Sequence, residues 1–228
     1  MSQEASPQRV AYYVDGFNLY HGCFANLSSR ESWRKFRWLD LNTMCSRIYP
    51  NGTTVGIRYF TATVDKNAED PQSFIRQQTY LRALRTTKTV TIHLGRFSTY
   101  AKLRMVAESE NRPVIAATPE QYALVIESRE KGSDVNLASH LLLDGFEDTY
   151  DLAVVITNDS DLATPIRMIR ENLGKRVAIV NPRKRTAIDL KGIANSYKVI
   201  RRSWLENAQF PMTLTDENGD FTKPAHWQ

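Results

Sequence analysis

Cysteine is scarce in this chain. Its 228 residues include two, Cys23 and Cys45, and no CxxC pair. A disulfide framework is therefore excluded as the basis of the fold. With four scattered histidines, a zinc site is not expected either. Long apolar runs are also missing: none approaches the roughly 20 residues of a membrane-spanning helix, and the mean hydropathy is −0.44. The opening MSQEASPQRV has no apolar core of the kind a secretory signal carries. No GxGxxG follows the first strand-like run, which argues against a dinucleotide-dependent dehydrogenase. A reduced, cytoplasmic protein without membrane association is the expectation.

Acid is missing locally. Residues 71–107 hold Arg76, Arg82, Arg85, Lys88, Arg96, Lys102 and Arg104 but no Asp or Glu, and residues 175–202 hold nine Lys or Arg against Asp189 alone. A third cluster, RESWRKFRW at 30–38, mixes cations with Trp33, Phe36 and Trp38. The net charge is +5. Taken singly, each patch is an ordinary solvated face. Together they suit a polyanion, with aromatics available for base stacking.

What is present is an alternation of strand and helix signals. RVAYYVD, VGIRYFTATV, TVTIHLG, YDLAVVIT and KRVAIVNP read as strands, and YKVIR as a final one. Between them lie helical stretches: 40–48 capped by Asp40, 71–87 opening on Pro71, GSDVNLASHLLLDGF capped by Ser133 or Asp134, and LATPIRMIRENLG. In the third of these, Val135, Ala138, Leu142 and Phe146 fall near one face. Residues 97–128 read as a loop or hairpin excursion containing the short β-like run ALVIE, and the polar segment 207–228 as a surface tail. The expected fold is α/β: a Rossmann-like three-layer α/β/α sandwich with a mainly parallel sheet, strand order near 3-2-1-4-5. The expected division is a disordered N-terminus over 1–8, one domain over 9–202, and a tail over 203–228 packed on or extending from it.

The acids fall where such a sheet binds ligands, beyond the carboxyl ends of the strands at the switch point. Asp15 follows the first strand directly. Asp159 and Asp161 follow the fourth in VVITNDSDLATP, and Asp134 begins the helix leading into it. Taken alone, Asp159 and Asp161 could be a helix cap and a solvated acid. Four carboxylates meeting in one place would raise each other's pKa. A divalent cation would relieve this, and hard oxygen ligands suit Mg²⁺ or Mn²⁺.

YYVDGFNLYHG, EKGSDVNLASHLL and VVITNDSDLATPIR, in this order, resemble the NYN domain family (the LabA-like group), a branch of the PIN-like nucleases. The resemblance covers residues 9–202. It implies metal-dependent endoribonuclease activity, often on structured or transfer RNA. It implies Asp15 as a metal ligand with Asn18 as its motif partner, Asp134 as the acid of the second motif, and Asp159 and Asp161 as those of the third. Lys131, Thr157, Asn158 and Ser160 become substrate-binding candidates, and Glu130 is raised with Lys131. Each has a plainer alternative: Asn18 and Ser160 as helix caps, Thr157 and Asn158 as turn formers, Glu130 and Lys131 as solvated charges. His21 reads as a helix-surface residue and His140 as structural.

Two other classes and one other mechanism compete. An RNA-binding or recruitment module would hold a structural metal and cut nothing. A haloacid-type phosphatase would want DxD after the first strand, where this chain has Asp15-Gly16-Phe17. A cleavage using the RNA 2′-hydroxyl as nucleophile would leave a cyclic phosphate and want a His or Lys base. Association into a homo-oligomer is compatible with the sequence.

Overall fold

The central strand β1, Arg9–Asp15, is an apolar run that is buried on both faces from Val10 onward, as a strand covered by helices on each side must be. In the computed structural model the described residues are 7–25, 31–64, 70–106, 122–183 and 187–227. Most of the segment expected to be disordered, residues 1–6, lies outside them. β1 pairs in parallel with β2 (Thr53–Ala62) on one side and with β5 (Leu152–Ile156) on the other. The other strands are β3 (Val90–Met105), β4 (Tyr122–Lys131), β6 (Arg176–Asn181) and β7 (Ser196–Val199). The sheet order is β4-β3-β2-β1-β5-β6-β7, parallel throughout except for the β3–β4 pair. Its five middle strands follow the expected 3-2-1-4-5 order.

Period-two alternation divides β1 between two cores. Val10, Tyr12 and Val14 face a core shared with α1 (Gly16–Cys23), α2 (Leu41–Ile48) and α3 (Pro71–Arg85). Ala11 and Tyr13 face a second core, shared with α4 (Ser133–Phe146), α5 (Ala163–Asn172) and α6 (Ile188–Ile193). The result is a mostly parallel sheet between two helical layers. None of the helices among the described residues is long and apolar enough to cross a membrane.

Four details differ from the sequence expectation. The third strand does not stop at Gly95; it runs to Met105 and pairs antiparallel with β4 as a long ribbon. Residues 107–121, within the uncertain excursion, lie outside the described set. The helix α4 is not capped by Ser133 or Asp134. Its cap position is Gly132 at φ +99°, and the Glu130 carboxylate accepts from the Ser133 N–H at 2.9 Å. Its buried face is Ser133, Leu137, Leu141 and Gly145, whereas Val135 and Phe146 are 68% and 78% exposed. The last segment does more than lie over the surface. After α7 (Arg202–Glu206), the strands β8 (Thr213–Asp216) and β9 (Gly219–Thr222) form a hairpin. Phe210, Phe221 and Trp227 bury themselves around Trp38 at ring separations of 5.7–6.4 Å.

The turn from β4 into α4 is pressed onto β3 at Gly95. A Cβ there would lie 2.7 Å from the Lys131 carbonyl oxygen and 2.9 Å from Ser133 Oγ. Gly56, in β2, has nothing within 4 Å of the same position. Gly95→Ala is therefore expected to cost about 1–3 kcal/mol through overpacking. Gly56→Ala is expected to leave stability unchanged or raise it by up to about 1 kcal/mol. Urea titration of the two variants checks this, and equal midpoints would contradict it.

Candidate active site

Asp15 ends β1 at the sheet's carboxyl edge and caps α1. Its Oδ1 accepts the Asn18 backbone N–H at 2.9 Å; its Oδ2 accepts the Asn18 side-chain amide at 2.6 Å and the Thr157 hydroxyl at 2.9 Å. The carboxylate is 3% exposed. Burial pushes its pKa up, and the Asp159 charge adds to this; the Asn18 and Thr157 hydrogen bonds oppose it. A buried carboxylate normally has a cation beside it. This one is held by neutral donors.

Thr157 follows β5 and is fully buried. It is placed there by register: Val14 pairs with Ile156, so the next residues, Asp15 and Thr157, meet. Its hydroxyl oxygen also accepts the Asp159 N–H at 3.1 Å. Asp159 Oδ1 in turn accepts the Asp161 N–H at 3.0 Å, opening a short 3₁₀ turn over Ser160–Leu162 that runs into α5. The opening Asp-Asn-Ser chemistry is thus a cap, as its composition allows, and it aims a carboxylate at the same edge as Asp15. Asn158 points its amide oxygen at the Ala187 N–H, 3.0 Å away, tying this loop to the start of α6. Ser160 and Asp161 are exposed.

Asp134 sits in the first turn of α4 and is partly buried. Its pKa is pushed up to about 6, first by burial and then by the charges of Asp15, Asp159, Glu130 and Asp161. Acids from three chain segments therefore share one field, and Glu130 joins the four carboxylates expected from the sequence. Lys131, next to Glu130, is exposed, its ammonium 6.0 Å from the Tyr100 ring centre. The Ser133 hydroxyl is buried without a hydrogen-bond partner among the described residues.

The donor chemistry fits a hard divalent cation: carboxylate oxygens that repel one another across the site. The positions are not those of a finished cage. No three Asp, Glu, His or Cys side chains among the described residues are already grouped at ligand spacing. An ion would have to draw the carboxylates together.

Beside Asp15 lies an aromatic cavity of about 350 Å³ that sequence reading did not find. Gly16 and Phe17 line it directly after Asp15, with Tyr20, Tyr59 and Phe97. The only trace of it in the sequence is the Phe between Asp15 and Asn18, whose ring meets Phe97 edge-on at 5.8 Å. The expected stacking aromatics at 30–38 go elsewhere: Trp38 is fully buried and Phe36 nearly so.

A carboxyl whose folded pKa exceeds its unfolded value contributes stability that is complete below about pH 4 and is lost as pH rises through about 6. Asp134 is such a group. His93, lowered to about 4 by burial and by His140, works in the opposite sense, so wild type must be compared with a variant. In metal-free protein, Asp134→Asn is expected to melt above wild type, by a margin that widens from pH 5 to pH 7.5. Parallel melting curves across that range would contradict this.

Residues 9–201 match the model of the NYN domain. The chain is 29% identical over 198 residues to 6-hydroxy-3-succinoylpyridine 3-monooxygenase HspA of Pseudomonas putida, covering 78% of this chain. It spans 61% of that curated relative's length. Its fold is similar to the crystal structure of VPA0982, a protein of unknown function from Vibrio parahaemolyticus. The TM-score is 0.56 at 18% identity, over 87% of this chain and 96% of the other. The family match covers nearly all of the α/β domain and every acid of the site, and the chain belongs to the NYN domain family, within the PIN-like nuclease superfamily.

Proposed function

We propose that this chain is a metal-dependent endoribonuclease acting in the cytoplasm. The observation that carries this is the field around Asp134: a half-buried carboxyl pushed up to about 6 by burial and by the charges of Asp15, Asp159, Glu130 and Asp161, on a domain whose superfamily is nucleolytic. Such repulsion is tolerable where a cation is to be bound. Asp15, Asp134, Asp159 and Asp161 would hold Mg²⁺ or Mn²⁺. Bound there, a divalent ion supplies an activated water and charge stabilisation at a phosphate.

The chain's own residues do the rest. Asn18 and Thr157 fix the Asp15 carboxylate through both oxygens, which sets its orientation before any ligand arrives. The Asp159 turn presents a second carboxylate on a short, hydrogen-bonded loop. Exposed cations such as Arg85, Lys88, Arg96 and Lys131 are available to a phosphate backbone. Others from the basic stretches are engaged: Arg82 with Asp216, Arg104 with Glu127 and Arg202 with Glu206. RNA, structured or transfer RNA included, is the proposed substrate. The products expected from water attack are 5′-phosphate and 3′-hydroxyl ends.

The Pseudomonas relative's name indicates action on a small aromatic compound. The aromatic cavity beside Asp15 is the observation that favours such a substrate here.

The test is cleavage of mixed cellular RNA with Mn²⁺, Mg²⁺ or EDTA. Wild type should cut only with metal, and Asp159→Ala should abolish cutting. Thr157→Val keeps the side-chain shape and loses the hydroxyl to Asp15; it should slow cutting by about 10–100-fold. A folded wild type that binds metal and RNA but cuts nothing would overturn the enzyme and favour a recruitment module.

A further inference from the structure

The cavity next to Asp15 has the chemistry of a nucleotide site. Its walls are mainly aromatic, and among the described residues lining it there is no acid. It adjoins the acid cluster on two sides. Gly16 and Phe17 connect it to Asp15. Phe97 is the ladder partner of Glu130 across β3 and β4, so one strand pair carries a cavity wall and a cluster acid side by side. Tyr59, on its floor, feels the Asp15 charge.

Most polar groups lining it are already used by the fold. Tyr80 donates to the Leu39 carbonyl at 2.9 Å, and Ser73 to the Asp70 carbonyl at 2.6 Å. The Gln77 amide bonds the Val64 N–H and the Ala62 carbonyl. Arg76 is paired with Asp70. Arg37 is different. One terminal nitrogen donates to the Phe24 carbonyl at 2.8 Å, and the guanidinium lies 5.6 Å from the Tyr20 ring centre. Its Nε is buried with no hydrogen-bond partner, and no carboxylate is paired with it among the described residues. Burial disfavours its charge. Among the described residues, this partly desolvated cation beside an aromatic cavity faces no carboxylate.

The shared chemistry of a matching ligand is a planar aromatic ring joined to an anion. We propose that the cavity receives one nucleobase of the RNA strand being cut, unstacked from its neighbours and packed among Phe17, Tyr20 and Phe97, with an adjoining phosphate on Arg37. This rests on the ribonuclease proposal and deepens it. Base identity would be read weakly, because most of the cavity's polar atoms are committed and stacking tolerates any base. The enzyme would prefer a nucleotide free to leave its stack, in a loop, bulge or single strand, over one in a duplex.

The full chain is tested in EDTA, where cleavage does not interfere. Short single-stranded oligoribonucleotides carrying one 5-iodouridine, placed at each position in turn, are irradiated and the cross-linked peptide is mapped. Binding of the same strands to wild type, Phe17→Ala and Arg37→Met is measured in parallel, with adenosine 5′-monophosphate as a free competitor. One position should cross-link to the peptide holding Phe17 and Tyr20. Phe17→Ala should weaken single-strand binding by about tenfold while leaving duplex binding unchanged. Arg37→Met should weaken single-strand binding and reduce its salt dependence. Retained melting temperatures keep misfolding out of the comparison.

RNA bound and cut by wild type, with binding unmoved by Phe17→Ala and cross-links only at the basic surfaces, would overturn the cavity proposal and spare the nuclease. A free mononucleotide, or a small aromatic acid, that fills the cavity while RNA cross-links elsewhere would overturn it in favour of a free ligand. RNA neither bound nor cut by wild type would overturn both.

Discussion

The burial of the Asp15 carboxylate among neutral donors constrains the whole carboxyl edge of this sheet. Asp15 is almost fully out of water, and that desolvation is unfavourable for its charge. Three neutral donors offset it in part, and each makes a demand on the backbone. The Asn18 pair requires α1 to start immediately after β1. The Thr157 hydroxyl requires β5 to lie in register beside β1. The same hydroxyl accepts from Asp159, so holding one acid fixes the turn that carries the next. Position is transmitted through a short series of hydrogen bonds, without the acids touching.

Asp134 is brought in by a different device. Its helix is anchored at both ends. At the far end Asp144, 4% exposed, accepts Tyr13 from β1 at 2.6 Å and two nitrogens of Arg58 from β2 at 2.6 and 2.7 Å. This bidentate pair pins α4 across two strands. At the near end Gly132 takes the left-handed conformation the tight turn needs. The bare Cα of Gly95 lets that turn close onto β3, and Glu130 caps Ser133. Asp134 lies one residue inside this closure, so its repulsion with the other acids cannot be relieved by the helix drifting away.

Much of this was legible in the sequence, and the rest was not for physical reasons. Apolar runs such as AVVI and the strand–helix alternation carry their own geometry, and the switch-point rule then places Asp15, Asp159 and Asp161 together. The three motifs hold the acids of the site in chain order. Side-chain partnerships across long separations carry no such local signal. Thr157 on Asp15 and Arg58 on Asp144 join residues 142 and 86 apart. The α4 cap failed to show because Ser and Asp are both good caps by composition, while the glycine before them was forced by the close approach of β3. The face of α4 was misassigned for a related reason: Val135 and Phe146 are apolar, but the clamp at Asp144 turns a different stripe inward. The aromatics at 30–38 look like stacking residues by composition, yet the C-terminal hairpin claims Trp38 for the core.

The distribution of charge carries a last consequence. The chain has five more cations than acids, enough in principle to neutralise the cluster. Several are instead committed at a distance from it: Arg9 to Asp148 and Asp151, Arg58 to Asp144, Arg82 to Asp216, Arg104 to Glu127. The cluster thus keeps its negative charge inside a protein that is positive overall. On the metal-dependent reading, such a site would repel phosphate until a cation enters, while the chain's net positive charge would attract it. An ion and a polyanion would then assist each other's binding, each relieving a repulsion the other meets. Filling the site with the chain's own lysines or arginines would remove that coupling. Under the proposed function, the arrangement makes physical sense as one in which the ion and the strand arrive together.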